Sequence, residues 1–261
     1  MNNEKLQILL AKFANITTSS ILTSTALSIE AATIAPFIGT SVEELIINVG
    51  TEFSDRHLSK RENYRLGMSI SELIANTNKN FEEGKTLRED NFFDKVSEDR
   101  KTIDELFEGV LLSIKLEHEE KKIKYISRMF SNFLFDTQFD HQFCNTYLRV
   151  AQNLTYRQFC YLFIIANKEK YGLNKEIQPF KDPYRALRGD QIIELLEMRS
   201  KALIFVPEIF SKLDPKHGYQ MFPLDSVHIL DLGKYLYELL ELVRIDIMDV
   251  EELCNFKIKP N

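Results

Sequence analysis

The sequence predicts a mainly α protein: a multi-helix bundle with a C-terminal winged-helix-like part containing a few short strands. Three observations carry this. Apolar residues recur at spacings of three and four along most of the chain, the period of a helix with one buried face. Only 9 glycines and 7 prolines serve 261 residues, too few for the many tight turns of an all-β chain. Ser or Thr followed three residues later by Glu or Gln recurs ahead of apolar runs, which marks helix starts.

Residues 4–13 read as a short amphipathic helix with Leu6, Leu9, Leu10 and Phe13 on one face. Residues 13–42 are unusual, since 30 residues hold a single charge, Glu30, and 11 Ser or Thr. Ile21, Leu22, Ala26, Ile29 and Ala32 keep helical spacing there, and Pro36 and Gly39 end the pattern. Ser41 with Glu44 reads as the capping box of the next helix. Residues 56–82 form a charged helix whose buried stripe is Leu66, Ile70, Leu73 and Ile74, with Gly84 as its stop. Thr86 and Glu89 form another T-x-x-E pair. A helix over 98–116 buries Ile103, Leu106, Phe107, Val110, Leu111 and Ile114, and Glu117 to Lys122 is a polar break. Ile123, Ile126, Met129, Phe130, Phe133 and Leu134 mark the next helix; Phe143, Tyr147, Leu148 and Ala151 mark another.

At Leu154-Thr-Tyr-Arg-Gln158 the start signal is clearest, with Thr155 as cap, Gln158 closing the box and Leu154 at the staple position. The run that follows to Ala166 is apolar nearly all round, as expected of a central helix. Residues 168–188 read as a polar connection. A helix over 190–199 then precedes Ala202-Leu-Ile-Phe-Val, the best strand candidate, with residues 219–222 and 227–230 as further short strands. Residues 231–242 and 246–255 read as a closing helix pair. The order of elements changes near residue 150. This places a helical domain at 1–150, including a weakly charged hairpin at 13–50, and a winged-helix-like domain at 151–261.

Net charge is −6, with 18 basic and 23 acidic residues in 1–150 and 15 and 16 in 151–261. Neither half has the positive excess that coats nucleic acid. Cys144, Cys160 and Cys254 make no disulfide framework and read as buried thiols. Glu4, and Lys12 inside the first apolar stretch, are unlike a secretory signal, and no run of 18 apolar residues is present. A cytoplasmic protein is the expectation.

Gly84-Lys85-Thr86 looks like the end of a phosphate loop, yet Lys79 stands where the loop needs its first glycine. None of His57, His118, His141, His217 and His228 belongs to an H-E-x-x-H pair, because Lys122 occupies the second ligand position after His118-Glu119. Asp136, Asp140, His141 and Cys144 are close in sequence, but a structural metal site needs about four converging ligands. That segment reads as a polar helix start above a buried Cys. No G-x-S-x-G elbow is present. The carboxylates fall in patterns of solvated helix faces. The chain reads as non-enzymatic, with no cofactor, no metal and no catalytic residue.

A winged helix that reads DNA carries Arg and Lys into the major groove on one helix. The candidate helix offers Arg199 and Lys201 against Asp190, Glu194 and Glu197, which favours contact with protein over DNA. Glu119-Glu-Lys-Lys-Ile-Lys-Tyr through Phe133, Asn153-Leu-Thr-Tyr-Arg-Gln158 and the Leu230-Asp-Leu-Gly233 close resemble a set of uncharacterised all-helical bacterial proteins. Such proteins are associated with mobile-element and phage-defence neighbourhoods. The resemblance implies a helical fold and a defence setting, and it implies no catalytic residue.

The leading expectation is a helical interaction protein, a regulatory or accessory component of a bacterial defence module, with a protein partner or self-association. The alternative is a membrane-active effector using residues 13–42, where Ile21, Leu22, Ile29, Phe37 and Ile38 are the candidate interface or membrane residues. As a helix, residues 19–35 span about 25 Å, short of the ~30 Å hydrocarbon core, and Glu30 adds a cost at depth. A segment packed within the chain, with Phe37 and Ile38 exposed at its turn, is therefore expected. The third reading is a winged-helix transcriptional regulator. Duplex DNA should bind weakly at physiological salt in a mobility-shift assay. A specific Kd near ~10⁻⁸ M, abolished by R199A/K201A, would put the regulator first.

Overall fold

Apolar residues at three-and-four spacing build the helices they predict. The computed structural model of the chain describes residues 5–6, 8–9, 12–13, 40–93, 95–97, 100–170, 189–206 and 227–254. Among these it is mainly α with two short strand pairs. No helix among the described residues is long and apolar enough to cross a membrane. The chain divides into two compact units, Met1–Gln152 and Asn153–Asn261. Ile21, Leu22, Ile29, Phe37 and Ile38 lie outside the described residues, as do 219–222 of the expected strands.

The first unit holds α1 (Thr40–Ser54), α2 (Lys60–Glu82), a 3-10 turn (Asn91–Phe93), β1 (Lys95–Ser97), β2 (Arg100–Lys101), α3 (Thr102–Leu116), α4 (Glu120–Phe133) and α5 (His141–Asn153). Lys5, Leu6, Ile8, Leu9, Lys12 and Phe13 are helical, and Leu6, Leu9 and Phe13 are buried. Two glycines admit this helix. A Cβ on Gly50 would meet Leu9 Cδ2 at 2.7 Å, and one on Gly67 would lie 3.0 Å from Phe13 Cβ. The expected stripes of α2, α3 and α4 are all buried.

Helix ends differ from the expectations in instructive ways. Ser41 lies inside α1, so its backbone is already helical and it cannot cap. The box that does operate is Ser59 with Glu62 at the start of α2. Ser59 Oγ accepts the Glu62 N–H at 3.2 Å, and the Glu62 carboxylate accepts the Ser59 N–H at 2.7 Å. Gly84 does stop α2, at φ +80°, with Lys85 N–H donating to Asn80 O at 3.0 Å and Gly84 N–H to Phe81 O at 2.9 Å. Thr86 and Glu89 start no helix, because the Arg88 N–H is drawn across to Leu134 O at 3.0 Å. The helix expected from residue 98 begins at Thr102, where Asp104 accepts the Lys101 N–H at 2.8 Å. Ahead of it β1 and β2 pair antiparallel, with an irregular register. Phe143, expected in the core stripe of α5, is half exposed and stacks on Phe139 with ring centroids 5.3 Å apart.

A polar seam joins α2 to α4. Ser127 donates to Ile123 O at 2.8 Å, so Ser69 donates to Ser127 across the interface, also at 2.8 Å. Glu72 pairs with Arg128 Nε at 2.5 Å. Asn76 and Asn80 both donate to Asn132 Oδ1, at 3.2 and 3.0 Å, and the Thr77 and Ser131 hydroxyls lie 3.0 Å apart. Partner numbers rise together along both helices, so α2 and α4 run the same way with α3 as the return. Glu72–Arg128 and Asn76–Asn132 advance by one turn on each side. A one-turn slip would set Arg128 against Asn76 and strip Glu72 of its cation, a costly arrangement in a buried seam.

The second unit is built on α6 (Tyr156–Asn167), surrounded by α7 (Gly189–Ser200), β3 (Ile204–Phe205), β4 (His228–Ile229), α8 (Asp231–Leu239), a 3-10 turn (Leu242–Arg244) and α9 (Ile247–Cys254). Every residue from Phe159 to Ile165 is buried, as the all-round apolar run requires. Only two residues of the expected strand 202–206 pair, Ile204 with Ile229 and Phe205 with His228. The start of α8 presses on β3: Leu230 N–H donates to Leu203 O at 3.0 Å, and a Cβ on Gly233 would meet that oxygen at 2.2 Å.

The seam yields a test by urea denaturation. Arg128→Met alone should cost ~3–5 kcal/mol, because it leaves Glu72 largely buried and unpaired. E72L/R128M should regain most of that loss. A double variant no more stable than the single one would show that the pair does not set the packing.

Candidate functional site

The first turn of α6 is the most heavily engaged polar position among the described residues of the second unit. Thr155 Oγ1 accepts the Gln158 N–H at 3.1 Å, and Gln158 Oε1 accepts the Thr155 N–H at 2.9 Å. This is the capping box legible in the sequence. Each side chain of the turn also reaches a neighbouring element. The Thr155 hydroxyl donates to Glu194 Oε1 at 3.2 Å, and Arg157 Nε lies 2.8 Å from Glu194 Oε2. Gln158 Nε2 donates to Glu194 O at 3.2 Å and to Glu197 Oε2 at 3.0 Å. The Tyr156 hydroxyl donates to Asp249 Oδ2 at 2.7 Å. Glu194 and Glu197 of α7 and Asp249 of α9 thus each bond a side chain of this turn, at the amide end of a helix, where negative charge is favoured.

This turns α7 partly inside out. Glu194 is buried, while Ile193 and Leu196, one turn apart, are 58% and 41% exposed. The segment from the 3-10 turn into α9 repeats the pattern. Asp249 faces Tyr156, whereas Val243 and Met248 are 60% and 72% exposed and Ile247 is exposed as well. Phe205, Leu230 and Tyr235 are further exposed apolar side chains of this unit. Sequence reasoning counted Glu194 and Glu197 as charges on an outer face. It missed the exposed aliphatics because their spacing is that of a core stripe.

Arg199 is exposed near the end of α7 and Lys201 is half-buried just beyond it. The helix closes at Ala202, a non-glycine residue at φ +56°. Ala202 N–H donates to Arg199 O at 2.9 Å and Leu203 N–H to Met198 O at 3.0 Å, the same closure that Gly84 makes. The other exposed described residues of this helix are Ile193, Leu196, Glu197 and Ser200, none of them basic.

In the first unit a cavity of about 510 Å³ lies beside Arg88, Phe92, Glu105, Asp140 and His141. Most of its charged groups have structural duties. Arg88 is buried, forks onto both oxygens of Asp90, lies over the Phe92 ring at 3.8 Å, and donates to Phe133 O at 3.2 Å and Asp136 O at 2.9 Å. It closes the carbonyl end of α4, and the guanidinium holds the Asp90 carboxyl below its usual range. Asp140 accepts the Phe143 N–H at 2.7 Å at the start of α5. His141 faces Asn145 at 3.1 Å. Asp136, Asp140, His141 and Cys144 form no ligand group among the described residues. The one trio within ligand reach there is Glu117, His118 and Glu119. Its Glu117 carboxylate already binds Lys122 Nζ at 2.6 Å and accepts the Glu119 N–H at 2.9 Å. Lys122 also donates to Gln152 O at 3.0 Å, tying the start of α4 to the end of α5.

Cys144 and Cys160 are buried thiols, and burial pushes the Cys144 thiol up to about 12. Above the ordinary thiol value the unfolded chain sheds this proton and the folded chain keeps it. Stability should therefore fall between about pH 9 and 12, at up to ~1.4 kcal/mol per pH unit. Alkaline denaturation of Cys144→Ala beside the parent checks this, since the variant should lose that part of the slope. Equal slopes would contradict it.

Compared with known proteins, the chain matches no family model, no curated protein and no solved structure.

Proposed function

We propose that this is a non-enzymatic helical interaction protein whose working surface lies on the second unit, on the outer faces of α7 and of the segment from Val243 to Met248. One observation carries the reading. Both segments spend a carboxylate on the first turn of α6 and leave branched aliphatics and a methionine in water. Apolar side chains exposed in that way mark surfaces that a partner covers. Met and aromatic side chains are enriched at the centres of such interfaces, and charges are depleted there. Arg199 and Lys201 then belong to the polar rim rather than to a DNA-reading face. A cytoplasmic setting and a role as a regulatory or accessory component of a bacterial defence module complete the proposal. The setting rests on Glu4, on Lys12 inside the first apolar stretch and on the want of an 18-residue apolar run, and the defence role rests on the sequence resemblance.

A photocrosslinking residue placed at Leu196 or Met248 should give one discrete adduct in the native cells. I193E/M248E should abolish it with Tm unchanged, because both positions are exposed. Phage plating on cells with the parent or the double variant tests the defence setting. No discrete adduct from either position, or adducts that survive I193E/M248E, would overturn the interaction surface.

A further inference from the structure

The helical residues Lys5, Leu6, Ile8, Leu9, Lys12 and Phe13 divide into two faces of opposite character. Leu6, Leu9 and Phe13 are sunk into the first unit, with Leu9 against Gly50 and Phe13 against Gly67. Their fit fixes the rotation of the helix and so fixes what it presents outward: Lys5, Ile8 and Lys12, all exposed. An open groove of about 340 Å³ runs between this helix and α1, lined by Lys5, Ile8, Leu9, Lys12, Ile47 and Thr51 together with Asn48. None of the described residues lining it is acidic, in a protein of net charge −6. The groove thus has an apolar floor and a cationic rim. Lys5 and Lys12 stand two turns apart, about 10 Å along the helix, with Ile8 between them.

We propose that this face docks on an anionic phospholipid surface. The two ammonium groups would meet lipid phosphates, while Ile8, 54% exposed, enters the boundary between headgroups and acyl chains. Lysine stems lie along apolar surface and keep their charged heads at the polar level, which suits this arrangement. At about 340 Å³ the groove is too small to enclose a whole phospholipid, so a surface fits it better than a single extracted molecule. Asp55 competes: its Oδ1 lies 3.2 Å from Lys12 Nζ in an exposed pair. That pair is a weak one, and removing it should strengthen docking. The surface belongs to the first unit and does not depend on the partner surface proposed for the second.

Flotation of the purified full chain with vesicles tests the proposal, using pure phosphatidylcholine and phosphatidylcholine with about a third phosphatidylglycerol, a content chosen to give the strong negative surface potential that draws in basic side chains. The chain should float only with the anionic vesicles and should be released by high salt. K5E/K12E should weaken partitioning at least tenfold, and Ile8→Ser should weaken it at unchanged Tm. Asp55→Asn should strengthen it, and Ile29→Lys should leave it unchanged. No preference for the anionic vesicles, or a preference indifferent to K5E/K12E and D55N, overturns the proposal. Loss with Ile29→Lys alone would move the membrane contact to residues 13–42 and overturn it equally.

Discussion

The first turn of α6 presents backbone N–H groups that no carbonyl of its own helix can reach, together with four polar side chains that engage α7 and α9. Thr155 and Gln158 satisfy some of these N–H groups locally. Glu194, Glu197 and Asp249 are then drawn in from α7 and α9 to the side chains of the same turn. An end with partial positive charge attracts carboxylates, and a carboxylate committed there is withdrawn from the surface of its own helix. Rotating α7 to deliver Glu194 leaves Ile193 and Leu196 outside. The apolar surface of this unit is thus a consequence of how one helix start is capped.

The first unit meets the complementary need at a carbonyl end. Arg88 comes from a non-helical stretch and satisfies Phe133, Leu134 and Asp136 at the close of α4, through its guanidinium and its own N–H. Asp90 neutralises it, so the buried guanidinium carries no unpaired charge. Between α2 and α4, the seam of Ser, Thr and Asn with the Glu72–Arg128 and Arg65–Glu120 pairs adds register to what apolar stripes alone would leave free to slide. Gly50 and Gly67 complete the unit by giving Leu9 and Phe13 room that a Cβ would take only if those side chains shifted.

These arrangements bear on function through the surfaces they leave over. Three of the buried cations, Arg88, Lys122 and Arg128, are each matched to a carboxylate that fixes a helix end or a seam, and Lys168 donates to Val227 O at 2.7 Å. The side chains released to solvent are aliphatics on α7 and α9, and lysines flanking Ile8 on the first helix.

The sequence by itself determined the helical class and the buried stripes of α2, α3, α4 and α6, because a stripe depends only on local spacing. It also marked the start of α6 and the stop at Gly84, where residue type and backbone geometry agree. It was ambiguous where residue type and geometry part. Ser41-x-x-Glu44, Thr86-x-x-Glu89 and Ser59-x-x-Glu62 carry the same signal, and only the last caps a helix. Whether such a pair caps depends on whether the backbone is already helical or is pulled elsewhere, as it is at Arg88. Ala202 and Glu241 adopt left-handed backbones that nothing in their side chains announces, since packing after α7 and α8 imposes them. The tertiary structure alone decided which carboxylates turn inward and which aliphatics turn outward. A helical pattern gives the angle between two side chains on one helix, and it takes the polar side chains of a neighbouring element, here Thr155, Tyr156, Arg157 and Gln158, to set which of them faces the protein.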